Sequence, residues 1–108
     1  MNALMSAALA AALFLNSTGS AAAECNPDKV FVIGGTWCPP CHEVMNFLAA
    51  RGVQYEFVNA VPSFYDWDAW ARLEQVFGVR TVPVIATTRY FVVGSDEDQL
   101  RRFLCLAW

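Results

Sequence analysis

Lys29-Val30-Phe31-Val32-Ile33-Gly34-Gly35-Thr36-Trp37-Cys38-Pro39-Pro40-Cys41-His42-Glu43-Val44-Met45-Asn46-Phe47-Leu48-Ala49-Ala50-Arg51-Gly52 is the stretch on which the reading of this chain turns. Its first five residues form a short apolar, β-branched run that stops at two glycines, the pattern of a buried strand ending in a loop. From His42 to Arg51 the apolar positions 44, 45, 47 and 48 recur at helical spacing, and Gly52 closes the helix. Pro39 and Pro40 fall where a first helical turn needs no amide hydrogens. A Cys-x-x-Cys pair thus sits between a strand and a helix, with Cys38 at the helix N-terminus, where unpaired amides and the dipole favour a thiolate. Cys41 lies one turn further in, within reach of Cys38. That arrangement suits a nucleophile, Cys38, and a resolving thiol, Cys41, which attacks the mixed disulfide that Cys38 forms.

The remaining chain extends the pattern. Val53 to Val58 alternates as a second strand, with Val53, Tyr55 and Phe57 on one side. Residues 65–77 are expected to form a helix with Trp70, Leu73, Val76 and Phe77 on its packed stripe and Gly78 as its stop. Thr81 to Thr87 and Tyr90 to Val93 read as two strands joined at Thr88-Arg89, a hairpin spacing with poor primed-turn residues. A last helix follows, with Ser95 as its expected N-cap, Asp96, Glu97 and Asp98 at its positive end, and Leu100, Phe103 and Leu104 on its packed face. The order β-α-β-α-β-β-α predicts an α/β domain, a four-stranded mixed sheet flanked by three helices.

At 108 residues there is room for one domain. Ala3 to Leu15 is almost wholly apolar, and a polar stretch then leads to Ala21-Ala22-Ala23-Glu24, a small-residue cleavage pattern. Residues 1–23 are therefore expected to be a signal peptide and residues 24–108 the mature domain, exported to the periplasm or secreted. No Lys or Arg precedes the apolar stretch, as signal peptides normally have. The alternative, an uncleaved anchor, is too short, because a spanning helix needs about 20 apolar residues. All charged residues lie after residue 23, so the mature part carries the whole formal charge of −3. Its only basic cluster is Arg101-Arg102, which implies neither nucleic acid nor an anionic membrane surface as a partner. Four cysteines in an exported chain can hold disulfides.

The cysteine pair has three competing readings: a structural disulfide, half of a zinc site with no second ligand pair, and c-type haem attachment, since Cys38-Pro39-Pro40-Cys41-His42 is literally C-x-x-C-H. Haem would take His42 as proximal ligand. A distal His or Met is then wanted, yet the mature chain has no other His and its one Met, Met45, is three residues away on the same helix. No bound metal or cofactor is expected.

Thr81-Val82-Pro83 is the second informative element. A proline just before a strand can hold a cis bond, which leaves the preceding residue's backbone free of the ladder. Over essentially all of residues 29–106 the chain resembles the glutaredoxin branch of the thioredoxin superfamily. The resemblance rests on Trp37-Cys38-Pro39-Pro40-Cys41-His42, then Arg80-Thr81-Val82-Pro83, then Gly94-Ser95-Asp96, in the right order and with eleven residues from Pro83 to Gly94.

The resemblance implies a thioredoxin fold and thiol–disulfide exchange. It implies that Pro83 is cis and packs on Cys38, that Val82 pairs its backbone with an extended peptide or with glutathione, and that Gly94, Ser95 and Asp96 hold the γ-glutamyl end of glutathione. Trp37 and Pro40 would border the substrate. The chain departs from the family in three places: Gly34, Gly35 and Thr36 where a basic residue is usual, Pro40 for an aromatic residue, and Val93 for the first of two glycines. Trp37-Cys38-Pro39-Pro40-Cys41 is also similar to exported thioredoxin-like reductases, which act on protein disulfides and draw electrons from a membrane donor. Protein disulfides are accordingly the expected substrates of a monomer, with glutathione as the alternative co-substrate.

The two other cysteines are expected to pair. The first strand ends at the Cys38 turn, so Cys25, just before its start, lies at the opposite edge of the sheet. The third strand runs away from the active site, the fourth returns, and the last helix carries Cys105 back to that distal edge. A Cys25–Cys105 bond would join the ends of the mature domain; a buried free thiol at Cys105 or an intermolecular bridge through Cys25 are the other possibilities.

Overall fold

The computed structural model describes residues 23–107. The expected signal peptide, apart from Ala23, lies outside the described residues. Strands β1 (Phe31–Gly34), β2 (Glu56–Asn59), β3 (Val84–Ala86) and β4 (Phe91–Val93) alternate with helices α1 (Pro39–Ala50), α2 (Trp67–Phe77) and α3 (Glu97–Leu104) in the expected order. The sheet order is β2-β1-β3-β4. β1 and β2 are parallel, while β1–β3 and β3–β4 are antiparallel.

Side-chain alternation divides this sheet into two packed faces. Phe57, Val32, Ile85 and Val92 stand in one cross-strand row. They meet Val44, Phe47 and Leu48 of α1 and Leu100, Phe103 and Leu104 of α3. Phe31, Ile33, Val84, Ala86 and Val93 point the other way, onto Ala69, Trp70 and Leu73 of α2. The central strands β1 and β3 are continuously apolar because both their faces are covered, whereas the edge strand β2 keeps Glu56 and Asn59 exposed. This is the four-stranded mixed sheet with three helices of the thioredoxin fold.

Several boundaries differ from the sequence expectations, each for a local reason. The second strand starts at Glu56, whose N–H reaches the Val30 carbonyl (2.8 Å) where β1 first offers a partner. Val53 and Tyr55 still share one side with Phe57, as expected, and that side faces α1 and α3. α2 begins at Trp67 and not at residue 65, because the Asp66 carboxylate caps it by accepting from the Ala69 N–H (3.0 Å). Val76 is 71% exposed and leaves the packed stripe to Trp70, Leu73 and Phe77. β3 is only Val84–Ala86, since Pro83 before it has no N–H for the ladder. The Thr88-Arg89 turn works without primed-turn residues because the Thr87 hydroxyl accepts from the Arg89 and Tyr90 amides (3.3 and 3.1 Å). Asp96, not Ser95, caps α3, its carboxylate accepting from the Asp98 and Gln99 amides.

At the distal edge Cys25 and Cys105 are bonded, with Cα atoms 5.1 Å apart. The bond draws in Glu24, which is buried. Its backbone N–H donates to the Phe103 carbonyl, and its carboxylate accepts from the Thr87 hydroxyl (2.8 Å) and from Arg89 (3.3 Å). Cys105 is the C-cap of α3 and takes φ +57°, a left-handed conformation that glycine or asparagine normally supplies.

Candidate active site

The opposite edge of the sheet carries the reactive pair. Cys38 is the N-cap of α1, in an extended conformation, with Pro39 and Pro40 at the first two helical positions. Those prolines leave the first turn without two donors, and the amide that remains, Cys41 N–H, points at Cys38 Sγ (3.2 Å). Cys38 and Cys41 are joined in a disulfide with Cα atoms 5.3 Å apart. Cys38 is 2% exposed and Cys41 fully buried, so only the Cys38 side of the pair faces solvent.

Two glycines make this packing possible. A Cβ on Gly34 would collide with Cys41 Sγ, and one on Gly35 would collide with both Trp37 Nε1 and the Val61 carbonyl. With no side chain at 35, Trp37 Nε1–H donates to the Val61 carbonyl (2.8 Å), tying the cysteine loop to the segment after β2. His42 is exposed, and its Nε2 lies 2.8 Å from the Thr36 carbonyl, a second brace across the same loop. The nitrogen that a haem iron would need is thus engaged, and Cys41 is enclosed; neither favours the haem reading.

On the other side of the pair, the Val82-Pro83 peptide bond is cis and Pro83 is fully buried. Val82 belongs to no strand, and among the described residues no hydrogen bond engages its backbone. The Gly94 N–H donates to the Pro83 carbonyl (2.9 Å), which brings Gly94, at φ +105°, next to the cis proline. A Cβ on Gly34 would meet Cys41 Sγ and, at 3.7 Å, Val82 Cβ, so Val82 stands beside the pair, with Pro83 and Gly94 bonded to each other just after it. Asp96 is used as the α3 cap. Ser95 lines a groove of about 410 Å³ between α1 and α3, with Glu43, Phe47, Arg51 and Glu97. Pro40 is exposed on the first turn of α1.

Sequence reasoning missed what lies beyond Trp37. Its ring meets Phe64 (5.4 Å) and Trp70 (6.0 Å) edge-on, and Phe64 in turn meets Tyr65 (5.3 Å) and Trp67 (6.5 Å). The only sequence signal was Phe64-Tyr65-Asp66-Trp67, an aromatic run in a stretch otherwise read as loop and helix start.

Among known proteins, the glutaredoxin family model matches residues 29–92, which include both cysteines, the cis proline and most of the sheet. Among solved structures, the chain is similar to the glutaredoxin grx-1 from Archaeoglobus fulgidus, with a TM-score of 0.57 and 23% identity over 69% of this chain and 84% of that one. It is similar to the glutaredoxin-like NrdH-redoxin from Escherichia coli, with a TM-score of 0.54 and 22% identity over 68% and 92%. A buckwheat glutaredoxin, solved as a glutathione complex, gives a TM-score of 0.54 and 27% identity over 67% and 66%. A comparison with curated protein sequences gives no significant match.

Proposed function

The chain belongs to the glutaredoxin family, and from that premise we propose that it is a thiol–disulfide oxidoreductase acting on the disulfides of partner proteins. The observation that carries the reading is Cys38 at the α1 N-terminus, with the Cys41 amide directed at its sulfur and Cys41 already within bonding reach.

Starting from the dithiol, the Cys38 thiolate attacks one sulfur of a substrate disulfide. A Cys38–substrate bond forms and the other substrate sulfur leaves as thiolate, taking a proton from water. The Cys41 thiolate then attacks Cys38 Sγ and the second substrate sulfur leaves, which restores the Cys38–Cys41 bond. Two electrons pass from the pair to the substrate. An external thiol or a membrane-bound reductase must return them, and a sufficiently oxidising couple would run the same steps in reverse. The backbone of Val82, unbonded among the described residues, suits an extended segment laid against the pair.

Two features support work outside the cytosol: residues 1–23, read as a signal peptide, and the Cys25–Cys105 bond, of a kind that persists in oxidising compartments. The absence of Lys and Arg from residues 34–41 favours protein disulfides over anionic glutathione.

Reduction of a disulfide-bonded model protein tests the assignment. Cys38→Ser is expected to abolish turnover, and Cys41→Ser to accumulate protein bound to Cys38. Full activity in Cys38→Ser would refute the proposal. Glutathione-dependent turnover that survives Cys41→Ser would shift it to a glutaredoxin-type monothiol reaction.

A further inference from the structure

Phe64, Tyr65 and Trp67 are 50%, 75% and 63% exposed. Aromatic rings of this size dominate cores and interfaces, and three together on a surface call for an occupant. They are continuous with the reactive pair, since the edge-to-face contacts run from Trp37, the residue next to Cys38, to Phe64 and on to Tyr65 and Trp67. The segment is also held in place. The Val61 carbonyl accepts from Trp37 Nε1–H, the Phe64 carbonyl accepts from Trp70 Nε1–H (2.8 Å), and Ser63 binds the Tyr65 and Asp66 amides. A rigid ring cluster pays little ordering entropy on binding.

We infer that Phe64, Tyr65 and Trp67 form a docking platform for the substrate polypeptide, selecting protein segments that carry an aromatic or bulky aliphatic side chain within a few residues of the disulfide cysteine. This deepens the function proposed above and rests on it. Cys38 is almost buried, so a substrate sulfur reaches it only when its chain lies close along the surface. Val82 offers that chain backbone groups beside the pair, and the rings beyond Trp37 receive its side chains. Charge points the same way: residues 61–68 contain Asp66 and Asp68 and no Lys or Arg, a surface that suits a neutral or basic polypeptide and not a glutathione anion.

The test compares two peptide disulfides that differ only in Phe or Ser two residues from the cysteine. The wild-type protein is expected to prefer the Phe peptide by roughly tenfold in kcat/KM, as for loss of one interface anchor. Tyr65→Ser/Trp67→Ser should bring that ratio close to unity, while Tyr90→Ser, an exposed aromatic at the distal hairpin, should leave it as in wild type. A wild-type ratio near one, or a ratio that survives the double substitution, overturns the platform.

Failure of the wild-type protein to turn over either peptide or hydroxyethyl disulfide would instead refute the oxidoreductase reading. The platform is then judged by binding of the Phe peptide with serine in place of its cysteine, followed by amide shifts of residues 64–67. Absence of such shifts overturns it. So does sedimentation as a dimer that the double substitution dissolves, which would give the rings to a second copy of the chain.

Discussion

Replacing Cys25 and Cys105 together with serine opens a cross-link between residues 80 positions apart. In the chain-entropy treatment, closing a loop of that length removes about 15 cal/mol/K from the unfolded ensemble, or about 4.5 kcal/mol at 25 °C. A domain the size of residues 24–108 has a total stability of only about 4–13 kcal/mol, so the loss is a large fraction of it. The structure adds a second term of opposite sign. Cys105 sits at φ +57°, where a non-glycine residue costs about 1–2 kcal/mol, a strain tolerated because its sulfur reaches Cys25. Cys25→Ser/Cys105→Gly should therefore be about 1 kcal/mol more stable than Cys25→Ser/Cys105→Ser. Equilibrium urea unfolding followed by circular dichroism measures both, in a Cys38→Ser/Cys41→Ser background that prevents disulfide exchange. A loss below about 1 kcal/mol in the serine pair would show that the contacts of Glu24 with Phe103, Thr87 and Arg89 hold the ends together without the bond. A glycine variant less stable than the serine variant would refute the strain.

Gly35→Ala places a methyl against Trp37 Nε1 and the Val61 carbonyl. It is expected to cost about 1–3 kcal/mol and to shift the tryptophan emission, and an unchanged spectrum would contradict the role given to that glycine. Leu48→Ala empties a fully buried position between α1 and the sheet and should lower the unfolding free energy by about 2–5 kcal/mol in the same urea assay. Thr87→Val takes from Glu24 its hydroxyl partner and from the hairpin the acceptor for two amides, for an expected loss of about 1–3 kcal/mol. The Cys38 sulfur receives one amide donor and has two prolines after it, so the couple is expected nearer about −270 mV than about −120 mV by equilibration with a glutathione buffer. A value above about −180 mV would mean that the thiolate is stabilised by groups other than these.

The parts of the site legible in the sequence are those in which a residue's own backbone chemistry dictates its place. Cys38 and Cys41 are readable because a Cys-x-x-Cys between a strand and a helix has one local geometry, whereas Pro83 follows from the family resemblance, since proline before a strand only permits a cis bond. Ser95 was the wrong cap: Ser95 and Asp96 are both competent, and the choice follows from where Gly94 turns after bonding Pro83. Val76 was misplaced because a helical stripe wide enough for four apolar residues had only Trp70, Leu73 and Phe77 facing the sheet.

Taken alone, the sequence determined the order of elements, the apolar stripes of the helices and the place of the central cysteine pair between a strand and a helix. These depend on short-range periodicity, on turn residues and on the position of two sulfurs within one helical turn. Apart from the Cys25–Cys105 bond, which the strand order already implies, tertiary structure decided what joins residues distant along the chain. It set Glu24 against Thr87 and Arg89, used the absence of a side chain at Gly35 to bond Trp37 to Val61, and gathered Phe64, Tyr65 and Trp67 into one surface continuous with Cys38. Such contacts carry no local signature, because each partner alone is an ordinary residue in a loop, and only the paths of β1, β2 and β3 through the sheet bring them within bonding distance.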